Sequence, residues 1–158
     1  MTLEQEYGGG QGMPLVGLAT VAGTFAALFG GLLWCAHRRG RLPTELPSVK
    51  ELVCLGVASH KAARTLAHDQ VLAPLRAPFV RYVKGLGKGA VKEEPRGDGV
   101  QRAIGELSTC PYCSGFWVAA GAATGYLLAP RLTRAVATSL CLSAGVDVLN
   151  VIWYRYAA

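Results

Sequence analysis

Three long stretches of this chain are almost without charge, and nothing else in it limits the fold so strongly. Residues 15–36 and 107–130 contain no Asp, Glu, Lys or Arg, and residues 135–154 contain only Asp147. A soluble protein of 158 residues would spread its charges more evenly. Only 16% of this chain is charged, against about 25% in average globular usage. Lipid offers backbone polar groups no partner, so an apolar run within it must satisfy them internally as a helix. The expectation is an all-α integral membrane protein with three transmembrane helices and one interfacial amphipathic helix.

The first span covers residues 15–36 and follows an N-terminal tail, 1–14. Its 22 residues make about 33 Å of helix at 1.5 Å per residue, enough for the roughly 30 Å hydrocarbon core. Thr20 and Thr24 can bond back within the helix. Gly23 with Ala27, and Ala26 with Gly30, set small residues four apart, a spacing that admits a neighbouring helix. Trp34 suits the interface, and His37-Arg38-Arg39-Gly40-Arg41 stops translocation. The tail holds Glu4 and Glu6 and no cation, unlike the basic start of a cleaved signal peptide. Trp34 is too large for the position before a lipoprotein Cys35.

Residues 110–130 join a Cys-Pro-Tyr-Cys motif to a second span, which starts near Cys113 or Ser114 and ends near Pro130. Gly121 and Gly125 form a G-x-x-x-G helix-packing pair, and Phe116, Trp117 and Tyr126 mark the two interfaces. The third span is 135–154. Ser139, Ser143 and Asp147 share one of its faces. A carboxylate deep in lipid costs roughly 2.5–3.5 kcal/mol on insertion scales, so Asp147 should face protein, water or a partner.

The chain carries a formal charge of +6, and residues 37–109 hold 13 of its 16 cations and seven of its 10 acids. This basic stretch sits between apolar spans with few aromatics among its charges. It reads as a cytoplasmic segment and not as a nucleic-acid surface. The N-terminus is then outside and the C-terminus cytoplasmic, with Arg131 and Arg134 opposing that arrangement. Within the segment, Ser48 and Glu51 form a capping box for a helix over 49–68, apolar in front and polar behind, expected to lie in the interface or dip partly into it; a fourth full span is disfavoured, because only about ten residues before His60 are apolar where a span needs roughly 20. Arg76 could pair with Asp69 or meet a lipid phosphate. Residues 84–100 are Gly-rich and mixed in charge, expected as a flexible loop. Gly85-Leu86-Gly87-Lys88-Gly89 lacks the spacing of a phosphate-binding loop.

Cys110 and Cys113 are the one close pair among five cysteines, an odd number that excludes a fully paired disulfide framework. Cys-Pro-Tyr-Cys is also the redox centre of glutaredoxins. There the helix N-terminus favours a thiolate, and Pro111 suits a first helical position. A strand before the motif and a soluble sheet around it, which that fold needs, are not expected here. Three readings stay open: a redox dithiol, half of a metal site, or a structural pair. A zinc site would need two more ligands, such as His60 and His68, or a second chain. No cofactor is called for otherwise.

Three pieces of the chain carry a resemblance. They are Ala67-His68-Asp69-Gln70-Val71-Leu72-Ala73-Pro74-Leu75-Arg76-Ala77-Pro78-Phe79, then Glu106-Leu107-Ser108-Thr109-Cys110-Pro111-Tyr112-Cys113-Ser114-Gly115-Phe116-Trp117, and the apolar stretch to Trp153. Together they resemble the small bacterial membrane proteins grouped as family thirteen-sixty of the domains of unknown function. The resemblance covers Val49 to Trp153 and does not speak for residues 1–48. It implies a membrane location and supplies no catalytic residue. The residues themselves point to a structural, interaction or assembly component of a membrane complex, whose partners are the lipid bilayer and a membrane protein or a second copy. A thiol-redox or metal-binding protein is the alternative, and a proton or ion path through Asp147 is a third.

Overall fold

The structure, a computed structural model, describes residues 6–7, 12–43 and 47–157. Most of the expected tail, 1–14, lies outside the described residues, as do positions 44–46 of the linker. The chain is mostly helical (75%), with a small two-stranded sheet. In order it forms α1 (Leu15–Arg38), α2 (Val49–His68), a 3-10 turn (Gln70–Leu72) and α3 (Ala73–Arg76). Then come β1 (Val80–Gly87), β2 (Ala90–Pro95), α4 (Gly99–Thr109), α5 (Pro111–Leu128) and α6 (Pro130–Tyr156).

Two described helices are long and apolar enough to cross a membrane: α1, of 24 residues, and α6, of 27. Only 6% of the most apolar stretch of each is buried, where the core helix of a soluble protein would be mostly buried. This is compatible with a membrane location. Thr20 and Thr24 bond back to the carbonyls of Val16 and Thr20, each at 2.8 Å, so their hydroxyls are satisfied within α1. The expected second span is not in this class. α5 has only 18 residues, and Pro111, Tyr112, Ser114, Thr124 and three glycines dilute its apolar character.

The sheet corrects the all-α expectation. Most of residues 84–100, expected as a flexible loop, belong to a hairpin and to the start of α4. β1 and β2 pair antiparallel, with Val80 opposite Pro95, Tyr82 opposite Glu93 and Gly87 opposite Ala90. Gly87, Lys88 and Gly89 all have positive φ, at 82°, 53° and 74°. Two glycines around a lysine let the chain reverse there without a Cβ clash. The Gly-Leu-Gly-Lys-Gly run is therefore a hairpin tip.

The chain divides into two compact units. The first comprises the residues up to Leu28 together with Leu66–Ser114. Val80, Val91 and Ala103 are buried in it. Arg76, only 4% exposed, donates to the Glu93 carboxylate at 2.6 Å and to the carbonyls of Leu66 (2.8 Å) and Asp69 (3.1 Å). Neither the Asp69 carboxylate nor a lipid phosphate is its partner, because the hairpin delivers Glu93 instead. In the same unit α1 approaches the chain closely at Gly17, where a Cβ would overlap the Gly99 carbonyl. The small residues Gly23 and Gly30, expected to make such an approach, have nothing within 4 Å of a Cβ position. The second unit comprises Phe29–Thr65 and the chain from Gly115 onward. It holds the greater part of α2 and α5 and all of α6, with Ala58, Ala63, Thr124 and Ala137 buried.

Candidate functional site

In the second unit α2 is tied to α6 by polar contacts at three levels. At the first level Ser48 and Glu51 cap one another. The Ser48 hydroxyl and N–H donate to Glu51 Oε2 at 2.9 and 3.1 Å, and the Glu51 N–H points back at Ser48 Oγ at 3.4 Å. The other carboxylate oxygen, Oε1, accepts from the Tyr126 hydroxyl at 2.8 Å and from Arg134 Nε at 3.0 Å. The Arg134 guanidinium also lies 5.3 Å over the Tyr126 ring. One turn on, the sulfurs of Cys54 and Cys141 are 3.0 Å apart, and the Cys141 thiol donates to the Cys54 carbonyl at 3.1 Å. Further on, Lys61 Nζ is 2.6 Å from Asp147 Oδ2, with Arg64 Nη1 at 3.9 Å.

Residue numbers rise together on both helices, from 51, 54 and 61 to 134, 141 and 147. The two helices therefore run parallel, and each level reinforces the register of the others. Asp147 thus meets a cation of its own chain. Lys61, whose side chain is 11% exposed, was not singled out by sequence, because on a half-polar helix it reads as part of a wet face. Glu51, Tyr126 and Arg134 were each legible singly, as cap, interfacial aromatic and stray cation, but not as a cluster.

The two glycines of the G-x-x-x-G do different things. A Cβ on Gly125 would meet Thr133 Oγ1 at 2.9 Å, so this glycine lets α5 and α6 close on the short turn at Ala129. A Cβ on Gly121 would meet nothing within 4 Å. Gly121 instead borders a cavity of about 340 Å³ lined by Leu55, Ala58, Ala122, Val136 and Leu140 among others. The structure thus sets Gly125 against Thr133 and Gly121 on the cavity wall.

The Cys-Pro-Tyr-Cys motif lies in the first unit, at the junction of α4 and α5. Cys110 has an extended backbone, φ −109° and ψ 107°, which separates the two helices. Its carbonyl accepts the Ser114 N–H at 3.0 Å, and its sulfur accepts the Cys113 N–H at 3.3 Å. The thiol thus occupies the place of an N-cap oxygen. Burial works against a Cys110 thiolate. Hydrogen bonds from the Cys113 side chain and backbone and from the Tyr112 N–H outweigh it, holding the thiol below its ordinary value. Cys110 is half-buried, Cys113 is exposed, and both are free thiols. Among the described residues no three His, Cys, Asp or Glu side chains gather as metal ligands. The zinc arrangement with His60 and His68 is therefore not assembled among them.

The protein family described as "Protein of unknown function (DUF1360)" matches residues 54–153. That span includes Cys110, Cys113, Lys61 and Asp147 and leaves α1 out. The chain is also similar to the sporulation protein YjcA of Bacillus subtilis (strain 168), 35% identical over 71 residues, or 43% of this chain and 60% of that protein. It thus spans less than two-thirds of that relative. No solved structure matches.

Proposed function

The chain belongs to the family of proteins of unknown function designated DUF1360, and from that premise we propose that it is a multi-pass membrane protein serving as a structural or assembly component of a membrane complex. One observation carries this reading: α1 and α6 present long apolar surfaces with almost nothing covering them. α5 crosses with α6, to which the Gly125–Thr133 contact holds it. The basic run Arg38–Arg41 lies on the cytoplasmic side and the N-terminus outside. Asp147 has its partner within the chain, so the argument for an outside partner rests on the small-residue face of α1, where Gly23 and Gly30 are open. Alkaline carbonate extraction followed by cross-linking in native membranes tests the reading. The protein should stay in the pellet and form a discrete cross-linked species. Recovery in the supernatant, folded and monodisperse, overturns the membrane reading. A lone monomer in every mild detergent overturns the component reading.

A second reading has an observation of its own. Cys110 caps a helix and has its thiol held below the ordinary value, with Cys113 exposed three residues on. Such a pair suits thiol–disulfide exchange with a protein disulfide. The Cys110 thiolate attacks one sulfur to form a mixed disulfide and releases the partner's first thiolate. Cys113 then displaces the second, leaving a Cys110–Cys113 disulfide and a reduced partner. Trapping a mixed disulfide with Cys113→Ser, and losing it in Cys110→Ser, would establish this reading. No adduct in either variant would remove it.

A further inference from the structure

We infer that α2 is itself embedded in the bilayer, crossing beside α6 with its apolar face against lipid acyl chains, so that the chain crosses four times and both its ends lie on one face. The inference rests on the membrane reading above and begins with two contacts. The Arg41 guanidinium, just past the end of α1, donates to the Leu128 carbonyl at the end of α5. Glu51, in the first turn of α2, meets Arg134, in the second turn of α6. Arg41 and Glu51 therefore lie at the level of the turn 129–134, on one side of the membrane.

Parity then decides the path. A chain that leaves one face at residue 48 and is back on it at residue 129 has crossed an even number of times. α5 supplies one crossing, and α2 is the other long helix between those points. Three spans, with α2 lying in the interface, would put Arg41 and Leu128 on opposite faces, where no hydrogen bond joins them.

The side chains of α2 suit that place better than composition alone suggests. Leu52, Val53 and Val57 are 48%, 59% and 40% exposed and form an outward apolar stripe at helical spacing. Ser59 and Lys61, from the polar half, are buried. From Glu51 to Lys61 is ten residues, about 15 Å of helix, or half of a roughly 30 Å hydrocarbon core. Lys61 thus meets Asp147 near mid-membrane, where each charge removes the other's need for water. Hydropathy misses α2 because its charges are counted one by one, while the fold uses them as a pair.

Accessibility of one introduced cysteine at a time to a membrane-impermeant maleimide, read against the same background without it, tests the path in the whole chain. The background is Cys110→Ser with Cys113→Ser, and the labels are Met13→Cys, Leu42→Cys, Arg131→Cys and Ala157→Cys. Residues 42 and 131 should label from one face, and 13 and 157 from the other. Labelling of 42 and 131 from opposite faces, or of 13 and 157 from opposite faces, overturns the four-crossing path while leaving a membrane protein. Release of the chain by carbonate defeats the membrane reading itself, a separate result. A C-terminal reporter on the unaltered chain gives a second measurement that does not depend on the cysteine variants.

Discussion

A carboxylate in an apolar helix is tolerated only if something takes up its charge, and Lys61 does so for Asp147. Asp147→Ala leaves an ammonium with no counter-charge closer than water. The reciprocal Lys61→Ala leaves the carboxylate with Arg64, 3.9 Å away. Both single variants should melt lower in mild detergent, Asp147→Ala by more. Lys61→Met combined with Asp147→Leu should recover most of the loss, since an apolar pair of similar size replaces an ion pair removed from water with little penalty. A double-mutant cycle should give a coupling of roughly 0.5–3 kcal/mol, the range for residues in direct contact. Additive single effects would mean that the pair does not form. Cys110 gives a second expectation at this scale. Its thiol is held below the ordinary value, so the folded protein favours the thiolate, and alkylation should slow only as pH falls through that lowered value. Iodoacetamide rates across pH should place the Cys110 midpoint below that of the denatured chain. Cys113→Ala, which removes the side-chain hydrogen bond, should raise it.

At the scale of elements, the pairing of α2 with α6 makes a chemical forecast. Sulfurs 3.0 Å apart need little movement to bond, whereas a slip of one residue in register would turn Cys54 away from Cys141. With Cys110 and Cys113 both replaced by Ser, copper phenanthroline should convert this pair to a disulfide within one chain, read as a loss of two hydrogens by mass and a faster band without reductant. Failure to cross-link in folded protein would refute the register. The glycines of α5 make another forecast. Gly125→Ala puts a Cβ 2.9 Å from the Thr133 hydroxyl and should destabilise the α5–α6 pair. Gly121→Ala adds a methyl to open space and should be neutral or mildly stabilising, as helix propensity favours Ala over Gly by about 1 kcal/mol. Equal losses from both would show that Gly121 also packs. What sequence could supply here follows from the range of each signal. The helix over 49–68 was legible because its capping box and apolar half are local. The hairpin was not, because its alternation is blurred: Val80, Tyr82 and Val83 are interleaved with Arg81 and Lys84, and register shifts interrupt the ladder. The Glu93 partner of Arg76 and the Lys61 partner of Asp147 lie 17 and 86 residues away, beyond anything spacing can reveal.

For the whole molecule, the four-crossing path changes what the charge pattern means. With three crossings, Arg131 and Arg134 stand on the outer face against the tendency of basic residues to stay inside. With four, they join Arg38, Arg39, Arg41 and Lys50 on a single face, while the seven cations of residues 69–109 fall on the other. Of those seven, Arg76, Arg81 and Arg102 are each paired with an acid within their own unit. The basic residues of the short linker and turn therefore compete with that loop for the cytoplasmic side. Replacing Arg39 and Arg131 by Gln removes two of these cations without touching the Arg41–Leu128 or Arg134–Glu51 contacts. The impermeant label should then find residue 157 on both faces in a mixed population, where the parent protein shows one. Adding three lysines after residue 157 should push the mixture further. A single unchanged orientation in both variants would mean that the basic face follows from the packing of the helices and does not direct it.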